Sequence, residues 1–192
     1  MSLSPSPSRT SLVAAVGAAA LFAAGCGGDD ACGPGGATSG LTATAGTATI
    51  SYGTLTSGLN NDCPASDAPA GVVSVTVFGF QVGGAGSITL CISRPDKLAD
   101  NSQTLGHDAA SAQVRIVDLN GDVDGCSYTV DRAKPITGIA TAHGMCDNGA
   151  DPAGFALTLE GMLSFTRTCD TTTDSVQVML HGTETVRTAV AF

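Results

Sequence analysis

Residues 155–169 read FALTLEGMLSFTRTC, and this stretch decides the fold class. Its apolar side chains fall on alternate positions, so one face is apolar and the other is mainly polar. The apolar face carries Phe155, Leu157, Leu159, Leu163 and Phe165. Because successive side chains of a β-strand point to opposite faces of a sheet, the alternation predicts a half-buried strand. An interior glycine often marks a bulge, so two strands bent at Gly161 are the other interpretation.

The same period of two recurs along the chain from about residue 41. The strand candidates besides 155–169 are residues 42–52, 72–82, 87–93, 112–118, 126–131, 136–142 and 175–190. Turn-forming Gly, Pro, Asn and Asp separate them, and the longest break, residues 94–110, is predicted to be an exposed loop. Several short strands at this spacing predict an all-β fold, a single antiparallel β-sandwich or open barrel of about eight strands.

The amino-terminal segment has the pattern of an export signal. Arg9 is the only charged residue before Cys26, and residues 12–24 are apolar or small. A membrane-spanning helix needs roughly 20 apolar residues, whereas the apolar region of an export signal needs about 7–15, so the length favours a signal peptide. The motif Ala23-Ala24-Gly25-Cys26 resembles the lipobox of bacterial lipoproteins, which are cut by signal peptidase II. An ordinary secretory signal and a retained anchor helix are the alternatives.

The lipobox resemblance implies a lipid anchor at one cysteine. In that family the cysteine thiol carries a diacylglyceryl group and the new amino terminus is acylated, typically with palmitate. By resemblance, residues 1–25 are removed and Cys26 is lipidated. Gly27 stands where an aspartate favours retention in the inner membrane of Gram-negative bacteria. The resemblance therefore implies an exported protein anchored to the outer membrane, on its periplasmic or surface face.

The mature chain divides into a tether and one domain. Residues 26–40 are rich in Gly, Ala, Thr and Ser, a composition that buries too little apolar area to fold. Residues 41–192 fit the usual size of one domain, roughly 100–200 residues, and form the predicted β-sandwich. The net charge of −9, with acidic residues spread through the chain, argues against nucleic-acid binding, which needs a basic patch. The expected partners are the membrane, through the anchor, and envelope or extracellular proteins.

The six cysteines after Cys26 predict disulfide bonds. Exported domains meet an oxidising compartment, where cross-links form and persist. The half-cystine candidates are Cys32, Cys63, Cys91, Cys126, Cys146 and Cys169. Six cysteines allow fifteen connectivities. We favour the pairs Cys126–Cys146, Cys63–Cys91 and Cys32–Cys169, the first because its two segments are expected to be neighbouring strands.

One acidic segment is a candidate metal site. Oxygen-bearing side chains occupy every second position at Asp118, Asn120, Asp122 and Asp124, a spacing that can wrap a calcium ion. A helix-flanked calcium loop also needs glycine at its sixth position and glutamate at its twelfth, where this chain has valine and threonine. Asn-Gly and aspartates are typical of hairpin turns, so a turn is the preferred interpretation. A calcium- or ligand-binding module using this segment is the alternative.

Catalytic motifs are absent from the sequence. The three histidines, His107, His143 and His181, are scattered, and no nucleophile elbow, phosphate-binding loop or metalloprotease motif occurs. We therefore expect a non-enzymatic protein without a cofactor, serving adhesion, envelope structure or partner binding. Glycan binding is disfavoured because the chain has no tryptophan and its strand phenylalanines are expected in the core. These phenylalanines are Phe78, Phe80, Phe155 and Phe165.

Overall fold

The computed structural model describes residues 39–58, 63, 74–93, 102–108, 112–143 and 154–188, which form strands and turns. Among them no helix is long and apolar enough to cross a membrane. The eleven strands are β1 (Gly40–Ala45), β2 (Ala48–Tyr52), β3 (Leu55–Gly58), β4 (Val75–Phe80), β5 (Ser87–Ile92), β6 (Gln103–Gly106), β7 (Val114–Val123), β8 (Cys126–Val130), β9 (Thr137–His143), β10 (Gly154–Cys169) and β11 (Thr172–Thr188). The predicted all-β class is confirmed.

All eleven strands belong to one sheet that closes on itself. Its order is β2-β1-β11-β3-β4-β5-β7-β6-β9-β10-β8, with additional pairings between β11 and β10 and between β7 and β8. Hydrogen-bonded neighbours therefore lead from β11 through β3, β4, β5, β7 and β8 to β10 and back to β11. This circuit gives the barrel-like form of the prediction. Two pairings differ from the antiparallel rule, since β3 runs parallel to β11 and β6 runs parallel to β7.

The β10–β11 hairpin contains the two longest strands of the sheet. Its two strands stay in register from the pair Gly154 and Arg187 to the pair Cys169 and Thr172. Each strand is long enough to serve two neighbours on its other side: β11 pairs with β1 and β3, and β10 pairs with β9 and β8. The strand predicted at 155–169 is thus confirmed as a single strand, without a break at Gly161.

The core lies inside the circuit and is filled by the inward positions of nearly every strand. Phe155 and Phe165 are fully buried there, as predicted. Phe78 and Phe80 are not, because 37 % and 68 % of these residues is exposed. Their strand turns its valines and Gly79 inward, and a Cβ at Gly79 would collide with the Leu55 side chain. The assignment of Phe78 and Phe80 to the core is therefore wrong.

Three differences raise the strand count from about eight to eleven. The segment 42–52, predicted as one strand, is the β1–β2 hairpin, and Gly46 takes a left-handed φ of 61° at its turn. The two four-residue strands β3 and β6 were not predicted, and β6 lies within the segment predicted to be an exposed loop. Each of these elements is too short to show a period of its own.

The structure contains two disulfides among its described residues. Cys63 and Cys91 are bonded, as predicted, with Cα atoms 5.0 Å apart. Cys126 is bonded to Cys169, with Cα atoms 4.3 Å apart, because the two residues lie directly opposite each other at the paired ends of β8 and β10. This bond overturns the predicted pairs Cys126–Cys146 and Cys32–Cys169. Cys32 and Cys146 lie outside the described residues, as do the signal segment and Cys26.

Candidate functional site

The acidic segment lies on strand β7 and in the turn that follows it. Asp118, Asn120 and Asp122 alternate along the extended strand, and alternate residues of a strand are about 6.6 Å apart. Calcium ligands lie about 2.3–2.6 Å from the ion, so an extended segment does not gather them around one point. Among the described residues, no group of three or more His, Cys, Asp or Glu side chains converges on a metal position.

The hairpin expected in this segment is present, but its turn lies four residues further along the chain than predicted. Asp124 and Gly125 form its two-residue turn, with φ angles of 53° and 75°. Positive φ at both central residues is the type I′ geometry, which Asp-Gly sequences favour. Asn120 and Gly121, the residues predicted to turn, instead pair with Thr129 and Tyr128 across the β7–β8 hairpin.

Two members of the acidic segment join a serine in a polar cluster, the Ser87 cluster, formed by Ser87, Asp118 and Asn120. The Asn120 Nδ2 atom donates to Asp118 Oδ2 at 2.6 Å and to Ser87 Oγ at 3.2 Å. The Ser87 hydroxyl donates to Asp118 Oδ2 at 3.3 Å, and the Ser87 backbone N–H donates to Asn120 Oδ1 at 3.0 Å. These bonds fix the orientation of all three side chains on the outer side of the sheet.

Gln81 and Tyr52, which the sequence analysis did not single out, make hydrogen bonds to the backbone of β7. The Gln81 Nε2 atom donates to the Asp122 carbonyl at 2.6 Å, and its Oε1 atom accepts from the Asp122 N–H at 2.8 Å. The Tyr52 hydroxyl donates to the Asn120 carbonyl at 2.9 Å. Burial, and secondarily the charge of Asp118, raise the pKa of Tyr52 far above its ordinary value. Tyr52 therefore links β2 to the backbone of β7, and Gln81 links the segment after β4 to it.

An exposed apolar stripe borders the Ser87 cluster. Phe78 and Phe80 occupy alternate positions of β4, and Val82 lies two residues further on, in the turn after the strand. Phe80 and Val82 are 68 % and 63 % exposed. The register places Phe80 opposite Ser87. It also places Phe78 opposite Thr89, and Thr89 in turn opposite Asp118 on β7. Paired residues of adjacent strands point to the same side, so the stripe and the cluster share one surface, here named the β4–β5–β7 face.

A second surface lies on the outer side of β9, β10 and β11. Met162 of β10 is paired with Met179 of β11, and Glu160 is paired with His181. The two methionines are 43 % and 49 % exposed. A groove of about 410 Å³ runs between these side chains, with Thr137 at its edge. We name this surface the methionine groove.

The histidines are not brought together. His181 lines the methionine groove on β11. His107 follows β6, where its Nδ1 atom lies 3.3 Å from the Ile116 carbonyl. His143 ends β9, and its side chain lies outside the described residues. The geometry among the described side chains therefore offers two surfaces for binding, the β4–β5–β7 face and the methionine groove.

Comparison of the chain with protein-family models, with curated proteins and with solved structures finds no match. The chemistry of these two surfaces and the predicted export signal are the features that bear on function.

Proposed function

We propose that this protein is a lipid-anchored, non-enzymatic binding module of the bacterial envelope and that its ligand-binding surface is the β4–β5–β7 face. The observation that supports the proposal is the exposure of Phe78 and Phe80 beside the hydrogen-bonded Ser87 cluster. An apolar patch bordered by polar groups on a rigid scaffold is typical of a binding surface. Since Gln81 and Tyr52 hold the underlying strands together, a ligand would meet a preformed surface.

The ligand class that fits this face is a neutral glycan. A sugar ring presents an apolar C–H face, which packs on an aromatic ring, and hydroxyl groups, which bond to carboxylate, amide and hydroxyl side chains. The face offers both, with Phe78 and Phe80 next to Ser87, Asp118 and Asn120. The carboxylate within the cluster and the net charge of −9 disfavour an anionic polysaccharide. Three apolar side chains are too few for a stable protein interface, which buries about 1,200–2,000 Å².

The anchor is proposed from the lipobox resemblance. Each buried methylene of a lipid contributes about 0.8 kcal/mol to membrane binding, so the two or three acyl chains implied at Cys26 would hold the domain at the bilayer. In Cys26→Ala cells we expect the protein to leave the membrane fraction or to accumulate with its signal attached. Processed Cys26→Ala protein that stays in the membrane fraction would contradict the anchor but not the binding face.

Calorimetric titration of the detergent-purified mature protein tests the binding face. The probes are linear neutral oligosaccharides, such as cello- and chito-oligosaccharides, with hyaluronate as the anionic comparison. Full burial of a phenylalanine side chain contributes about 1.5–3 kcal/mol. Since 68 % of Phe80 is exposed, its coverage by a sugar ring contributes at most about 1–2 kcal/mol. Phe80→Ala should therefore weaken binding by roughly 5- to 30-fold.

Two variants serve as controls for this titration. Phe80→Tyr keeps the aromatic ring and should retain affinity, and Ile139→Ala removes a 43 % exposed apolar side chain from β9 and should change nothing. Absence of binding to every neutral oligosaccharide at millimolar concentration would refute the glycan proposal. The proposal would equally fail if Phe78→Ala/Phe80→Ala bound the oligosaccharide with wild-type affinity. It would also fail if that double variant lost binding to a protein partner while its affinity for glycans was unchanged.

A further inference from the structure

We infer that the methionine groove is a copper(I) site whose ligands are the thioether sulfurs of Met162 and Met179 and the imidazole of His181. Soft thioether ligands select Cu(I) among biological metals, and imidazole also suits copper. Calcium and magnesium require oxygen ligands, and structural zinc sites use thiolate and imidazole groups instead of thioethers. The combination of two methionines with one histidine therefore points to copper in its reduced state. Binding transfers no electron, because the metal is taken up as Cu(I).

The register of the β10–β11 hairpin brings the three ligands within reach of one ion. Met162 and Met179 are directly paired, and the Cβ atoms of such pairs are about 4.5–5.5 Å apart. His181 follows two positions after Met179 on the same side of β11, about 6.6 Å along the strand. Methionine has three rotatable side-chain bonds. Both sulfurs can therefore turn toward a common point beside the imidazole while the backbone stays in place.

The groove also has the space and the charge that a cation needs. Its volume of about 410 Å³ leaves the three side chains open to solvent on one side, which provides an entry path. Glu160 lies opposite His181 in the β10–β11 ladder, so its carboxylate adds negative charge beside the imidazole. Carboxylates next to ligating histidines commonly orient the ring. In this proposal Glu160 is therefore the outer-shell positioning residue of the site.

The exposure of the methionines is explained by this role. The outer-strand partners of the two methionines are polar, since Thr137 is paired with Met162 and Thr44 with Met179. Single exposed apolar residues are common on protein surfaces. These two methionines differ from such single residues, because they are directly paired and share one groove with a histidine. They are 43 % and 49 % exposed, and together with the imidazole they form a set of ligands with matching chemistry.

Anaerobic titration of the detergent-purified mature protein with Cu(I), in competition with bathocuproine disulfonate, tests the site. We expect one Cu(I) per chain in the wild type, and X-ray absorption should show two sulfur neighbours and one nitrogen neighbour. Loss of an outer-shell partner typically lowers metal affinity by about 10- to 100-fold. Met162→Leu/Met179→Leu and His181→Gln remove ligands and should lower affinity by more than about tenfold, and Glu160→Gln by about tenfold.

Two controls make the outcome decisive. Met145→Leu changes the remaining methionine of the mature chain, and Phe78→Ala/Phe80→Ala changes the glycan face. Both should bind Cu(I) as the wild type does, so failure of the copper site and failure of the glycan proposal are separable. Thermal melts of each variant establish that it is folded. The site is refuted if the wild type does not compete for Cu(I), if the double leucine variant keeps wild-type affinity, or if Met145→Leu weakens binding equally.

Discussion

The bond between Cys126 and Cys169 should stabilise the domain more than any single surface contact. The two cysteines are 43 residues apart in sequence. The loop-closure entropy removed from the unfolded chain by a cross-link of this length corresponds to about 4 kcal/mol. Whole domains are stable by only about 5–15 kcal/mol. We therefore expect Cys126→Ala/Cys169→Ala to lose about 4 kcal/mol of unfolding free energy, or roughly 8–16 °C in Tm for a chain of this size.

Urea denaturation followed by circular dichroism measures this loss. Cys63→Ala/Cys91→Ala is the matched control. Its cysteines are 28 residues apart, so the loop-closure entropy corresponds to a similar loss of unfolding free energy, about 3.6 kcal/mol. Wild-type stability in Cys126→Ala/Cys169→Ala, together with a destabilised control variant, would show that the first bond does not constrain the chain. The reasoning from the β8–β10 register would then fail.

Non-reducing tryptic mapping tests the same pairing chemically. Cleavage after Lys97, Arg115, Arg132, Arg167 and Arg187 separates the relevant cysteines. The structure requires that residues 116–132 be linked to residues 168–187, whereas the pairing first predicted from the sequence would link residues 116–132 to 133–167. If Cys26 is lipidated as proposed, Cys32 and Cys146 are left to form a third bond, and residues 26–97 are then expected to be linked to 133–167.

Three further perturbations test the packing. Gly182→Ala should lower the unfolding free energy measured in thermal melts by more than about 3 kcal/mol, because φ is 130° and the new Cβ would collide with the paired backbone of β1. Gly83→Ala is the control: its φ is 73° but its Cβ would meet open space, so the loss should be about 1–2 kcal/mol. Phe165→Ala should lose about 3–5 kcal/mol in urea denaturation, and Phe80→Ala should lose less than about 0.5 kcal/mol. Since the pKa of Tyr52 is raised above its ordinary value of 10.0, its contribution to stability is complete below pH 10 and is lost at higher pH. Unfolding free energies at pH 9 and 11 should therefore fall more in the wild type than in Tyr52→Phe.

The strands that the sequence predicted well are those whose alternation is long. Strands β10 and β11 run for 16 and 17 residues, and their period of two is unmistakable. A hairpin turn in the acidic segment was also predicted, but Asp124-Gly125 forms it in place of the predicted Asn120-Gly121. Alternation and turn residues are local patterns, which depend only on residues close together in the sequence, so they can be predicted from it.

Which strands from distant parts of the sequence pair with each other could not be predicted in the same way. Which strand lies beside β10 depends on the closure of the whole circuit, so the partner of Cys126 was predicted incorrectly. The orientation of Phe78 and Phe80 depends on which side of β4 meets the core, where Gly79 leaves no room for a side chain beside Leu55. The paired methionines likewise became visible only when the β10–β11 register placed Met162 beside Met179.

Mapping of the bound ligand by NMR tests the central claim most directly. The isotope-labelled mature protein in detergent micelles is titrated with the neutral oligosaccharide that binds best, and backbone amide shifts are followed for each strand. The account predicts shifts concentrated at Phe78–Phe80, at Ser87 and Thr89, and at Asp118–Asn120. Shifts centred on the methionine groove, or no change at saturating sugar, would contradict the assignment of the β4–β5–β7 face as the binding surface.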